Sequence, residues 1–171
     1  GLYPSLNTSY TLTSRILARA AYARTIGRPN FNEIIPGVTI TDPGATDGNR
    51  TITVINSALR PWTADNFDVS LELYGVRDVF FTVSGFRKDI TDFFNTTRLP
   101  ASPEALEAAG LPDDYLNYEI ITKRNGGEAT ISGIEVEYRH ALTFLPHWAR
   151  GTQIFGNLTS MDLSGPNEND F

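Results

Sequence analysis

Residues 66–74 read Asn66-Phe67-Asp68-Val69-Ser70-Leu71-Glu72-Leu73-Tyr74. In an extended chain Phe67, Val69, Leu71 and Leu73 fall on one side, and Asp68, Ser70 and Glu72 on the other. A strict period of two marks a strand with one apolar and one polar face. The residues that follow keep the pattern. A short turn spans 75–78, and 79–94 opposes Phe81 and Val83 to Thr82 and Ser84. The phase slips at Gly85-Phe86, which predicts a bulge.

The alternation continues outward in both directions. Downstream, Ile134, Val136 and Tyr138 oppose Glu135, Glu137 and Arg139. Residues 118–123 and 130–142 read as one strand or a strand pair around Asn125-Gly126-Gly127. A turn at 143–147 leads to a last strand over 151–161, where Ile154 and Leu158 oppose Gln153, Asn157 and Thr159. Upstream, residues 15–25 place Ile16, Ala18, Ala20 and Tyr22 opposite Arg15 and Arg19, with Leu17 blurring the pattern. Their alanines also suit a helix, and it is the neighbouring strands that favour the extended reading. Residues 2–12 form a further, polar and aromatic strand, joined by a tight turn at Thr13-Ser14.

Connection lengths alternate. Thr13-Ser14, 75–78 and 143–147 are short, whereas 28–64 and 98–117 are long. The first long connection is punctuated by Arg28-Pro29, Pro36-Gly37, Asp42-Pro43-Gly44, Asp47-Gly48 and Arg60-Pro61, all turn chemistry, with room for a short strand over 51–55. The second holds one short helix: Ser102 caps it, Pro103 takes its first position, Glu104 and Glu107 favour its N-terminal turns, and Gly110 ends it. In an up-and-down antiparallel meander, alternate connections share one end, so short turns gather at one rim and long loops at the other. Tyr10, Tyr74, Phe80, Phe81, Tyr138, Phe144 and Trp148 lie toward the short turns, where rings at a membrane interface would stand. The expected class is therefore all-β: about six strands of a larger antiparallel, up-and-down transmembrane β-barrel, with long external loops and one short helix.

Composition narrows the function. The chain of 171 residues is 40% hydrophobic, yet no run approaches the ~18 apolar residues of a membrane helix. It has no cysteine, which removes disulfides, thiolate metal sites and cysteine nucleophiles. A net charge of −6 without a basic cluster argues against nucleic acid. His140 and His147 flank a turn with no third metal ligand nearby. Asp68 with Glu72, and Glu135 with Glu137, share strand faces, but they read as a hydrated wall rather than as catalytic pairs, and there is no nucleophile elbow or phosphate loop. No catalytic residue, metal site or cofactor is expected. Residues 1–10 carry neither the basic start nor the apolar stretch of a signal peptide, which suggests a processed terminus or an internal piece.

Several stretches resemble TonB-dependent receptor barrels. Ala21-Tyr22-Ala23-Arg24-Thr25-Ile26-Gly27-Arg28-Pro29-Asn30-Phe31 looks like a strand-and-loop segment of that family. Asn56-Ser57-Ala58-Leu59-Arg60-Pro61-Trp62-Thr63-Ala64-Asp65-Asn66-Phe67-Asp68 is similar to its loop-to-strand return, departing at Ser57 and Trp62, where the family often has proline and glutamate. Phe86-Arg87-Lys88-Asp89-Ile90 and Ile131-Ser132-Gly133-Ile134-Glu135-Val136-Glu137-Tyr138 resemble two further strands in the same order. The resemblance covers nearly the whole chain.

It implies that residues 1–171 are part of one barrel domain in the bacterial outer membrane, supplying about six of roughly 22 strands, with the plug domain and the TonB-contacting box lying elsewhere. The implied activity is uptake of a scarce ligand, an iron-siderophore, cobalamin or a glycan, with energy from TonB. The implied partners are outer-membrane lipid, the TonB complex acting through the plug, and the small-molecule or glycan ligand. Phe171 follows the non-alternating run 166–170 and reads as a break inside an external loop. In the long loops Arg28, Phe31, Arg60 and Trp62, with Arg50 beside them, are the candidates for ligand contact. The competing reading is a soluble secreted β-sandwich or carbohydrate-binding module, whose apolar strand face would have to meet a second sheet.

Overall fold

The structure is a computed structural model that describes residues 1–42, 50–76 and 78–165. Strands dominate. They are β1 (Ser5–Thr13), β2 (Ile16–Gly27), β3 (Val38–Thr41), β4 (Thr51–Val54), β5 (Trp62–Val76), β6 (Val79–Pro100), β7 (Glu119–Ala141) and β8 (Gln153–Ser164), with one α-helix, α1 (Pro103–Ala108). The chain divides into two compact units. Among the described residues, one is built from Gly1–Ile26, Thr63–Ile90 and 128–165, the other from Gly27–Trp62 and Thr91–Gly127.

The first unit is the meander. The strands run in the order β1-β2-β5-β6-β7, and β8 pairs with β7. The β1–β2 and β7–β8 ladders are antiparallel, matching Leu6 with Tyr22, Tyr10 with Ala18, Ile134 with Ser160 and Val136 with Leu158. The turn after β5 is tight: Gly75 and Asp78 take φ values of 65° and 63°, a region that suits glycine and, next to it, aspartate. Asp78 also accepts a hydrogen bond from the Thr143 hydroxyl.

The two faces of this sheet differ chemically. On the polar face Arg19 Nε donates to Glu72 at 2.7 Å, Tyr74 donates to the same carboxylate, and Arg139 lies 5.8 Å over the Phe80 ring and pairs with Glu137 at 2.7 Å. On the apolar face Val69 is 59% exposed, Leu71 52%, Ile134 57% and Leu158 70%. No second sheet among the described residues covers them. Large aliphatic side chains bared in rows are not stable against water, but hydrocarbon accepts them, and a strand's remaining polar groups are satisfied within the ladder. This disposes of the sandwich. Toward the short turns the aromatic cluster is present, with Tyr74 and Phe80 at 5.2 Å and His140 and Phe144 at 6.1 Å.

The elements match the alternation, with informative differences. β5 begins at Trp62 and β6 runs on to Pro100, so both are longer than their alternating segments. β3 was not visible as a strand, and it pairs with β4 as an antiparallel hairpin, Val38 opposite Val54. Of the one strand or strand pair expected around Asn125-Gly126-Gly127, the structure has one strand, β7. Gly126 takes φ 143° and a Cβ at Gly127 would stand 2.4 Å from the Asn95 amide, so these glycines carry the chain past a crowded point without reversing it. The turn expected at 143–147 lengthens to take in a 3-10 turn at His147–Ala149. Phe171 with the run before it, and the turns at Pro43-Gly44 and Asp47-Gly48, lie outside the described residues.

The apolar face gives a stability prediction. With the barrel folded in lipid vesicles, Leu71→Arg is expected to cost about 2–4 kcal/mol and Asp68→Asn close to nothing, as read by guanidinium unfolding. Equal effects from the two would mean that Leu71 does not face hydrocarbon.

Candidate ligand-capture site

The second unit has a small core of its own. Ile52, Leu106, Tyr118 and Ile120 are buried together, with Val54, Ala105, Leu111 and Tyr115 packed around them. Its sheet is unusual for a meander: β4 runs parallel to the start of β7, Ile52 beside Ile120 and Thr53 beside Ile121. The helix α1 forms where its capping chemistry predicts. Ser102 accepts from the Ala105 amide at 3.3 Å, Pro103 needs no amide partner, and Gly110 reverses the chain at φ 71°. The carboxyl of Glu104 is lowered by backbone and Ser102 hydrogen bonds at this N-terminus. Leu106 projects from the helix into the core.

Polar ties hold the rest of this unit. Tyr118 donates to Asp42 at 2.9 Å, and Arg50 stacks 5.8 Å over its ring while approaching Asp42 at 3.6 Å. Burial first, and then the Asp42 carboxylate, push the Tyr118 phenol above its ordinary value. Asn125 makes a two-point clasp with Arg60, accepting from its amide at 2.8 Å and donating to its carbonyl at 2.7 Å, and it donates to the Asp92 carbonyl at 2.9 Å. Asn56 donates to the Lys123 carbonyl at 3.0 Å. The 3-10 turn at Phe31–Glu33 is fixed from both sides: Glu33 accepts from the Asn30 amide at 2.8 Å and from Lys123 Nζ at 2.6 Å. Lys123 first, then the Asn30 amide, hold the Glu33 carboxyl below the usual glutamate range. A largely apolar cavity of about 360 Å³ lies beside this ion pair, floored by Val54, Ile55 and Ile121.

The sequence candidates sort by what they touch. Trp62 is half-buried, edge-on to Phe93 at 5.9 Å, and it packs so closely on Gly27 that a Cβ there would stand 2.1 Å from its ring. Arg50 is held by Tyr118 and Asp42. Phe31 is 82% exposed, and the Arg28 and Arg60 side chains are exposed and make no ion pair among the described residues. Sequence reasoning did not single out Glu33, Lys123, Asn125 or Tyr118. Glu33 and Lys123 are 90 residues apart, and nothing local marks them as partners. No group of metal ligands occurs among the described residues.

A family model described as TonB dependent receptor-like, beta-barrel, matches residues 1–170. The chain belongs to the TonB-dependent receptor β-barrel family. Its place is accordingly the bacterial outer membrane, and its relatives are receptors and transporters rather than enzymes. Among solved structures it is similar to the siderophore receptor PirA from Pseudomonas aeruginosa, with a TM-score of 0.68 and 21% identity over 95% of this chain and 28% of that one. It is also similar to the ferric enterobactin receptor PfeA from the same organism, in a variant in complex with enterobactin, with a TM-score of 0.68 and 27% identity over 93% of this chain and 22% of that one. The copper transporter OprC shares the fold at a TM-score of 0.59 and 14% identity, over 98% of this chain and 21% of that one. The chain thus spans under a third of the length of the receptors it matches. No curated protein matches it significantly.

Two predictions follow from this geometry. Gly27→Ala should displace the Trp62 ring, shifting its fluorescence to the red and costing about 1–3 kcal/mol for overpacking; unchanged emission would refute the contact. Glu33 carries a lowered carboxyl, so its stabilisation is complete above the ordinary glutamate value of about 4.3 and is lost as pH falls through its lower folded value. With Lys123 46% exposed, screening limits the pair to about 1 kcal/mol. Glu33→Gln should therefore speed amide exchange in residues 30–35 at pH 7, and its effect should shrink at a pH below the lowered Glu33 value. An equal effect at both would remove the ion pair as the cause.

Proposed function

We propose that this barrel segment belongs to a receptor that takes up a ferric siderophore across the outer membrane, with TonB supplying the energy through the plug region. The observation that carries this reading is the second unit: two long loops tied into one body with its own core, displaying Phe31 and the exposed cations Arg28 and Arg60, which pair with no acid among the described residues. An exposed ring and guanidinium groups suit an anionic, aromatic iron chelate, which they hold by stacking and charge. The ligand named for the neighbouring receptor PfeA, enterobactin, has that character. The chain holds one methionine and two histidines, which gives little to a soft-metal cargo such as copper. The loop core supports the site by holding those side chains on a rigid support, so that little ordering entropy is lost on binding.

The test is uptake of radioactive ferric enterobactin by cells whose own siderophore receptors are deleted and which express the complete receptor. Uptake is expected, and it should disappear when TonB is deleted as well. The double variant Arg28→Gln and Arg60→Gln should weaken ligand binding about tenfold, equivalent to about 1.4 kcal/mol, with Phe31→Ala weakening it less. Uptake of cobalamin or an oligosaccharide in place of the ferric chelate would overturn the assignment.

A further inference from the structure

Asparagine followed by glycine occurs once in the chain, at Asn125-Gly126. The fold calls for this glycine and for the next one. Gly126 takes φ 143°, where a side chain is strained, and a Cβ at Gly127 would stand 2.4 Å from the Asn95 amide. The order asparagine-glycine carries a specific reactivity: the glycine backbone nitrogen attacks the asparagine Cγ and expels ammonia. Glycine impedes this attack least, because it has no side chain and the freest backbone. The backbone geometry of β7 therefore places the most permissive successor directly after Asn125.

What restrains the reaction is also in the second unit. The half-buried Asn125 amide accepts from the Arg60 backbone N–H at 2.8 Å and donates to the Arg60 carbonyl at 2.7 Å and the Asp92 carbonyl at 2.9 Å. Both N–H groups of the side chain are thereby used. The two-point contact with Arg60 fixes the amide plane and keeps Cγ from turning toward its own main chain. Gly126 has no such restraint: it is exposed, and among the described residues nothing stands within 4 Å of where its Cβ would be. The electrophile is held and the nucleophile is free, so the clasp sets the rate.

We propose that Asn125 is a site of spontaneous deamidation, gated by opening of the Arg60 clasp, and that the product releases the clasp irreversibly. The step needs only water. In a locally opened loop the Gly126 nitrogen loses its proton and bonds to Asn125 Cγ, the Cγ–Nδ2 bond breaks, and ammonia leaves a cyclic imide. Water then opens one imide carbonyl or the other, giving aspartate or isoaspartate. Either product has a carboxylate in place of the two N–H donors. The Arg60 and Asp92 carbonyls then lose their partner and face an anion. Isoaspartate also lengthens the main chain of β7 by one methylene. One covalent event thus loosens the end of the loop that bears Arg60. The inference rests on the clasp and not on the ligand proposed for the loops.

The experiment is peptide mapping by mass spectrometry of the complete receptor, incubated in mildly alkaline buffer either folded in detergent or unfolded in concentrated urea, and digested at low pH to halt the reaction. Heat-modifiable migration reports separately that the folded barrel stays closed. Asn125 is expected to convert in both samples, at least about tenfold more slowly in the folded one, equivalent to about 1.4 kcal/mol of protection. Dilute urea that leaves the migration unchanged should speed the folded reaction. The consequence is read on Asn125→Asp, in which amide exchange over residues 56–62 should be at least about tenfold faster than in the wild type, as expected for lost hydrogen bonds. Equal rates in the folded and unfolded samples, no conversion in the unfolded one, or unchanged exchange in Asn125→Asp would each overturn the proposal.

Discussion

A peptide group in hydrocarbon has no water to bond, and every bare N–H or C=O there costs several kcal/mol. Pairing along the ladder is therefore the interaction on which the rest of this structure depends. It makes the long strands β5, β6 and β7 necessary, because each must keep its backbone bonded across the full thickness of the membrane. It also dictates the composition. Once the ladder satisfies the backbone, side chains are free to answer only to what each face meets. The result is a wall in which Val69, Leu71 and Ile134 face one solvent and Glu72, Glu135 and Arg139 another, with hardly any core between them. Within these strands β1 and β8 each pair on one side only, so further strands are required to close the wall.

The second unit follows a different rule, the economy of a water-soluble protein. There a core forms from Ile52, Leu106, Tyr118 and Ile120, and helix caps and amide clasps take over from the ladder. The change is visible within single strands. In β7, Ile120 is buried in a core whereas Ile134, fourteen positions later in the same strand, lies bare on the apolar face.

This contrast explains what the sequence disclosed. The strands of the meander were legible because each face has one solvent, and alternation records it residue by residue. The helix was legible because its signals, Ser102, Pro103 and Gly110, are local. β3 was hidden because four residues, Val38 to Thr41, carry too little alternation to stand out among turns. The choice between one strand and two through Asn125-Gly126-Gly127 stayed open for the opposite reason: strong turn residues are used there for clearance, and only the Asn95 side chain opposite explains them. In the candidate site the residue types were visible and their partners were not. Trp62 and Arg28 look equally available in a linear chain, yet one lies against Gly27 and the other is exposed, because that outcome depends on contacts between distant segments.

The same reasoning bears on why loops of this family member carry a core at all. A loop that only needed to reach into water could remain polar and mobile. Burying Ile52 and Leu106, clasping Arg60 through Asn125 and pinning the 3-10 turn through Glu33 all reduce the freedom of the segment that bears Arg28, Phe31 and Arg60. Rigidity of this kind brings little to a wall already stabilised by its ladder. It brings more to recognition, because groups held in place before an encounter lose less entropy when a ligand arrives. On the proposed reading, the residues that tie the loops together would act on ligand binding at a distance, through the positions they impose on the side chains displayed there.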